Sequence, residues 1–113
     1  MILHIVPLAD WTAAPDLPYA PPSLESEGFV HCCADRTTAL GIADRHYRAQ
    51  PGTLLAVELD EDALTAEVRR EGDSGGRFPH VFGPLNRDAV VHVWEVVRTP
   101  GAPASLAPWQ PGS

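Results

Sequence analysis

Short hydrophobic runs separated by proline, glycine and polar residues predict several short strands around one main helix. Residues 2–6, Leu54–Leu59 and Val90–Val97 have the aliphatic and β-branched content of strands. From residue 35 to residue 48, apolar side chains recur at helical spacing behind Asp35, a plausible N-cap. Because strands and this helix do not alternate regularly, their order favours an α+β fold over a doubly wound parallel sheet.

The remaining segments predict two further strands, at residues 29–33 and 66–70, and a rigid loop at residues 77–85 that contains two prolines and a glycine. Successive side chains of a strand point to opposite faces. This alternation puts His4 on the face of Ile2 and Val6, and His31 on the face of Phe29 and Cys33.

Length and composition predict one small domain at residues 1–98, followed by a Pro-rich disordered tail at residues 99–113. The longest apolar runs are far shorter than the roughly 20 residues of a spanning helix, which argues against a membrane protein. The first residues lack the pattern of a signal peptide, so we expect a cytoplasmic location.

The charge balance narrows the class of ligand. The net charge is -7, and all 8 basic residues are arginines. Nucleic-acid binding needs a concentrated basic surface, so it is disfavoured. Without lysine the chain cannot form a lysine Schiff base or a lysine-bearing phosphate loop.

Three histidines are the main candidates for chemistry, because each lies in a predicted strand or beside a proline-rich turn. We predict that His4, His31 and His80 line one polar cleft, where Arg69 or Arg77 receives an anionic or phosphorylated small molecule. The alternative is that each imidazole is a hydrogen-bonded structural residue. A metal site would rest on the histidine count alone, so we predict none.

The adjacent cysteines are not placed to form a catalytic pair with His31, so a catalytic thiol would need His4 or His80 instead. Cys32 points away from its neighbour His31, and Cys33 lies about 6.5 Å further along the strand, too far for a hydrogen bond to that imidazole. Their Cα atoms, about 3.8 Å apart, are also too close for an ordinary disulfide. The simplest interpretation is that both are small buried hydrophobic residues.

The histidine-bearing motifs resemble a bacterial family known as domain of unknown function 952. The similarity covers residues 2–97 and is carried by His-Ile-Val at 4–6, Ser-Leu-Glu at 23–25, Glu-Gly-Phe-Val-His-Cys at 27–32, Phe-Pro-His-Val-Phe-Gly-Pro-Leu at 78–85 and Asp-Ala-Val at 88–90. Cys33 stands where such proteins usually have serine, and Arg70 where they usually have an aromatic residue.

The resemblance implies a split antiparallel sheet similar to that of the ADP-ribosyltransferase superfamily, with a nucleotide cleft and NAD as the candidate cofactor. His4 then takes the place of the first-strand residue that contacts the cofactor ribose. A carboxylate would stabilise the ribosyl cation, and the sequence pattern favours Glu71 over Glu58.

We therefore predict an ADP-ribosyl type of transferase or hydrolase site, with a non-catalytic ligand-binding or protein-interaction module as the alternative. The predicted catalytic residues are His31, Glu71 and His80. The predicted ligand-binding residues are His4, Ser23, Arg69 and Arg77.

Overall fold

Two antiparallel sheets and three α-helices make up residues 1–70 and 76–109, the part of the chain described by this computed structural model. The strands are β1 Ile2–Pro7, β2 Val30–His31, β3 Leu54–Leu59, β4 Val68–Arg69, β5 His80–Val81, β6 Val90–Val97 and β7 Ser105–Pro108. The α-helices are α1 Leu8–Trp11, α2 Pro22–Glu27 and α3 Arg36–His46, and single 3₁₀ turns lie at Glu61–Ala63 and Arg87–Ala89. The predicted α+β class is confirmed.

The larger sheet has the strand order β1-β3-β6-β7, and the smaller sheet has the order β2-β5-β4. Leu3 of β1 and Cys33, just beyond β2, join the sheets by exchanging backbone hydrogen bonds of 2.8 and 2.7 Å. The pair lies at the free edge of β1, since β3 occupies the other edge. The two sheets therefore meet and separate beside His4.

β3 is the centre of the core because its apolar run is buried on both faces. Leu55, Val57 and Leu59 pack with residues of the smaller sheet, including Val30 and Val81. On the opposite face, Leu54 and Ala56 pack with Ala39 and Ala43 of α3. Odd and even positions of this strand therefore pack on opposite faces, as the period of two in a strand requires.

The main helix begins where its N-cap predicts. The Asp35 carboxylate accepts a 2.7 Å hydrogen bond from the Thr38 amide, which satisfies one of the first unpaired N–H groups. The helix ends at His46, two residues before the predicted end. Within residues 1–70 and 76–109, no helix has the length and apolar character needed to cross a membrane.

The prediction of a disordered tail from residue 99 is wrong for its middle part. Ser105–Pro108 forms β7 and pairs with β6, and Leu106 packs against the core on the α3 face. The Asp44 carboxylate of α3 accepts from the Ala104 amide at 3.0 Å, and Arg48 donates to the carbonyls of Thr99 and Ala102. These tertiary contacts order a proline-rich segment that has no periodicity of its own.

Candidate functional site

A cavity of about 550 Å³ opens beside the free edge of β1. It lies between β1, the segment that leads into α2, the end of β2 and the last turns of α3. Its volume falls within the usual range for small-molecule sites. The lining residues with polar side chains are His4, Asp10, Tyr19, Ser23, His31, Cys32, Cys33, His46, Tyr47 and Gln50, and apolar surface comes from residues such as Ile5, Pro21, Ile42 and Phe78.

His4 is the most constrained polar group of the cavity. Its Nδ1 lies 2.7 Å from the backbone carbonyl oxygen of His31. Burial lowers the pKa of His4 to about 4, an effect that the hydrogen bond from the ring to the His31 carbonyl only partly offsets. The imidazole is therefore neutral near pH 7.

The hydrogen bond also fixes the tautomer of His4. A carbonyl oxygen only accepts, so Nδ1 carries the proton and Nε2 is left with its lone pair. In the described residues no buried polar side-chain atom lacks a partner, so Nε2 has access to the open space of the cavity that His4 lines. The fold thus presents one oriented hydrogen-bond acceptor to a ligand.

Two tyrosines supply donors. The Tyr19 ring lies 5.7 Å from the His4 ring, between centroids, and backbone hydrogen bonds with Leu85 hold Tyr19 in place. Burial, and after it the charge of Asp10, raises the pKa of Tyr19 to about 12. Burial also raises the pKa of Tyr47. Both hydroxyls therefore keep their protons and can donate to a ligand.

The cysteines are buried and not disulfide-bonded, as the sequence predicts. Burial raises the pKa of both thiols, that of Cys33 to about 11. Cys33 lines the cavity, but a thiol with this pKa has very little thiolate at neutral pH. Neither residue is an activated nucleophile.

His31 and His80 differ from the prediction of one common cleft. His31 lines the cavity, but its ring is exposed and its Nε2 lies 2.9 Å from the Glu27 carboxylate. His80 is not among the lining residues; its ring stacks on Phe29 at 4.0 Å between centroids. His31 of β2 and His80 of β5 are opposite each other in the smaller sheet, and their ring centroids lie 5.8 Å apart.

The structure brings Ser23 to the cavity but neither of the predicted arginines. The Ser23 hydroxyl lines the cavity and donates to the Phe29 carbonyl at 3.0 Å. Arg69 pairs with Glu67 at 2.9 Å, and the Arg77 guanidinium lies 5.9 Å from the Phe78 ring centre. Glu71, the predicted catalytic carboxylate, lies outside the described residues.

Glu58, the other carboxylate considered, does not line the cavity. Its Oε1 accepts from Trp94 Nε1 at 2.9 Å and from Arg36 at 3.1 Å. Burial alone would raise the pKa of Glu58, but these two hydrogen bonds, together with the charges of Arg36 and His92, outweigh burial and the net pKa is lowered. Its contacts are those of a structural ion pair between β3 and the first residue of α3.

Sequence reasoning missed several lining residues, chiefly Asp10, Tyr19, His46, Tyr47 and Gln50. His46 and Tyr47 follow Ala39, Ile42 and Ala43 at helical spacing in the sequence, and this spacing is a usable signal. Tyr19 lies in an irregular proline-rich segment, where no periodicity indicates direction. Among residues 1–70 and 76–109, no cluster of three or more His, Cys, Asp or Glu side chains could hold a metal ion.

Comparison with known proteins identifies a family and a fold. Residues 5–93 match the family described as "Protein of unknown function (DUF952)". The X-ray structure of protein CC0527 from Caulobacter crescentus has a TM-score of 0.77 and 24% identity, and the alignment covers 92% of each chain. A double mutant of CC0527 gives the same TM-score and coverage at 23% identity. No curated protein gives a significant match.

Proposed function

The chain belongs to the family described as "Protein of unknown function (DUF952)", and from this premise we propose that it binds a small organic molecule in the cavity beside His4. One observation carries the proposal. His4 is buried and neutral, its Nδ1 is committed to the His31 carbonyl, and its Nε2 is left as an oriented acceptor. An acceptor held in one orientation on a largely buried ring suits a ligand that brings an N–H or O–H group.

The other lining residues define what such a ligand looks like. The hydroxyls of Tyr19 and Tyr47 suit an acceptor such as a carbonyl oxygen, whereas Ile5, Ile42 and Phe78 suit an apolar body. No arginine belongs to the described lining of the cavity. Recognition of a phosphate at this position therefore has no support from its charged groups.

A second candidate function is ADP-ribosyl transfer, and one observation favours it. His4 lies on the first strand, at the point where two antiparallel sheets separate, and Tyr19 is next to it. This agrees with the ribose-contacting position that the resemblance to the ADP-ribosyltransferase superfamily implies. NAD would then be the substrate, with Glu71 as the proposed carboxylate and His31 and His80 as the proposed catalytic histidines.

Ligand-observed NMR with a fragment library, NAD, ADP-ribose and nicotinamide tests both candidates. The diagnostic variant is His4→Asn, because asparagine keeps a donor near the Nδ1 position but has no atom at the Nε2 position. The matched control is His92→Asn, an exposed histidine of β6 outside the cavity. We expect binding to fall at least about tenfold in the first variant and to be unchanged in the control.

The outcomes separate the candidates. Fragment binding that is lost in His4→Asn, with the ligand recovered unchanged, supports a non-catalytic binding protein. Cleavage of NAD that is lost in Glu71→Gln supports the transferase. If every fragment binds His4→Asn as well as the unmodified chain, the cavity beside His4 is not the binding site and the proposal fails.

A further inference from the structure

Three phenyl-type rings and one carboxylate belong to the described lining of the cavity. Tyr19, Tyr47 and Phe78 contribute rings, and Asp10 contributes the carboxylate. The chain has no lysine, and no arginine is among the described lining residues. The basic side chains that do line the cavity are imidazoles, those of His4, His31 and His46.

The charged groups around Tyr19 have different exposure to the cavity. Asp10 lines the cavity, and its charge contributes to the raised pKa of Tyr19. Arg87 also acts on Tyr19, but it is not a lining residue. Its guanidinium lies 4.1 Å from the Trp11 ring centre and donates to the carbonyls of Trp11, Ala14 and Leu17. The ligand therefore meets the carboxylate but not the guanidinium.

We propose that the cavity selects a small organic cation, a primary ammonium on a ring-sized apolar body, over neutral and anionic molecules of the same shape. The inference rests on the proposed function, because it requires that the cavity binds small molecules. Aromatic faces attract a cation through their quadrupole, and the attraction grows when the site is partly desolvated. An ammonium also brings three N–H donors.

The neutral state of His4 fits this ligand. An ammonium N–H can donate to Nε2 only while that nitrogen keeps its lone pair. Burial keeps the pKa of His4 near 4, so the lone pair is available at neutral pH. The other two N–H groups of the ammonium suit the Asp10 carboxylate and the faces of the tyrosine rings. An anion would instead meet Asp10 and the lone pair of His4, and both disfavour it.

Three probes with the same ring test the proposal: benzylammonium, benzyl alcohol and benzoate. Their dissociation constants are measured by chemical-shift titration at about pH 7.5, where an ordinary imidazole is mostly neutral. We expect benzylammonium to bind at least about fivefold more tightly than benzyl alcohol, and benzoate to bind most weakly.

Two variants test which residues cause the preference for benzylammonium over benzyl alcohol. Asp10→Asn removes the charge of an exposed side chain, and we expect it to weaken benzylammonium while leaving benzyl alcohol unchanged. Tyr19→Leu should weaken benzylammonium more than benzyl alcohol, because it removes a ring that faces the cation. Asp16→Asn, an exposed aspartate outside the cavity, is the control for net charge.

The proposal is overturned if benzyl alcohol or benzoate binds as tightly as benzylammonium, or if Asp16→Asn weakens the cation as much as Asp10→Asn does. It is also overturned if benzylammonium fails to bind at millimolar concentration. In each of these cases the proposed function is judged separately, by the fragment library and the His4→Asn variant.

Discussion

His4 shows at the scale of one residue how burial converts a titratable side chain into a fixed acceptor. An exposed imidazole exchanges its proton near neutral pH, whereas His4 is 8% exposed and is held neutral by desolvation. The hydrogen bond to the His31 carbonyl then decides which nitrogen is protonated and which keeps its lone pair. The position of His4 on a strand can be predicted from the sequence. Its neutral state and its fixed tautomer depend on the burial of the ring and on the carbonyl of a residue 27 positions away in the chain.

The first prediction concerns stability against pH. Burial lowers the pKa of folded His4 from 6.5 to about 4, so the unfolded chain takes up this proton first as pH falls. This contribution to stability is fully present above about pH 6.5 and is lost as pH falls towards 4, where the loss amounts to about 3 kcal/mol. Urea denaturation at several pH values should show a shallower slope over this range in His4→Asn than in the unmodified chain.

The control for this measurement is His46→Asn, which replaces an exposed histidine of the same cavity. If the control flattens the pH dependence and His4→Asn does not, then His4 is not the group that titrates on unfolding.

The second prediction concerns the buried thiols. Because burial raises the pKa of Cys33 to about 11 and raises that of Cys32 as well, we expect the folded protein to react with iodoacetamide about a hundredfold more slowly than the denatured chain. Mass spectrometry of time points at pH 8 measures both rates. Rapid alkylation of Cys33 in the folded protein would contradict the burial described here.

At the scale of elements, side-chain alternation and capping account for β1, β3, β6 and α3, all of which the sequence predicts within a few residues. Each of these elements has a local cause: period two along the strands, and an N-cap in the helix. The irregular connections follow other rules. Gly28 ends α2 with a φ of 86°, a left-handed conformation that glycine adopts without a Cβ clash.

The third prediction compares two glycines in different elements. A Cβ at Gly83 would lie 2.8 Å from the Ala66 Cβ, so Gly83→Ala should lower the free energy of unfolding by about 1–3 kcal/mol. At Gly41, inside α3, the nearest atom is the end of the Arg45 side chain at 3.8 Å. Gly41→Ala should therefore raise the free energy of unfolding by about 0.5–1 kcal/mol.

Chemical denaturation of the two variants checks both signs. If Gly83→Ala and Gly41→Ala change the free energy of unfolding by the same amount, backbone entropy alone governs stability at these positions. A tolerated Gly83→Ala would show that the loop beside Ala66 moves away at little cost.

At the scale of the whole molecule, contacts between distant parts of the chain build the cavity. Leu3 and Cys33 join the two sheets beside it, and Arg87 fixes the segment before Tyr19 by donating to three backbone carbonyls. Arg98, at the end of β6, donates to the carbonyls of Tyr47, Gln50 and Gly52. Two of these acceptors belong to residues that line the cavity.

The fourth prediction follows from this arrangement. Arg98→Met leaves three carbonyls without their charged donor, so it should lower the free energy of unfolding by about 2–3 kcal/mol. The substitution should also weaken fragment binding, because the backbone carbonyls of Tyr47 and Gln50 lose their hydrogen bonds from Arg98. Arg45→Met, an exposed arginine of α3, is the control. Unchanged stability and binding in Arg98→Met would contradict a structural role for this arginine.

Local periodicity and motifs are enough to predict the α+β class, the family, the burial of both cysteines and the positions of His4 and His31 on strands. The composition of the cavity depends on the tertiary structure. His80 and the predicted arginines do not line the cavity, while Asp10, Tyr19, His46 and Tyr47 do. A site formed where an edge strand, a proline-rich segment and the end of a helix meet depends on contacts between residues far apart in the chain, and local patterns do not encode their distances.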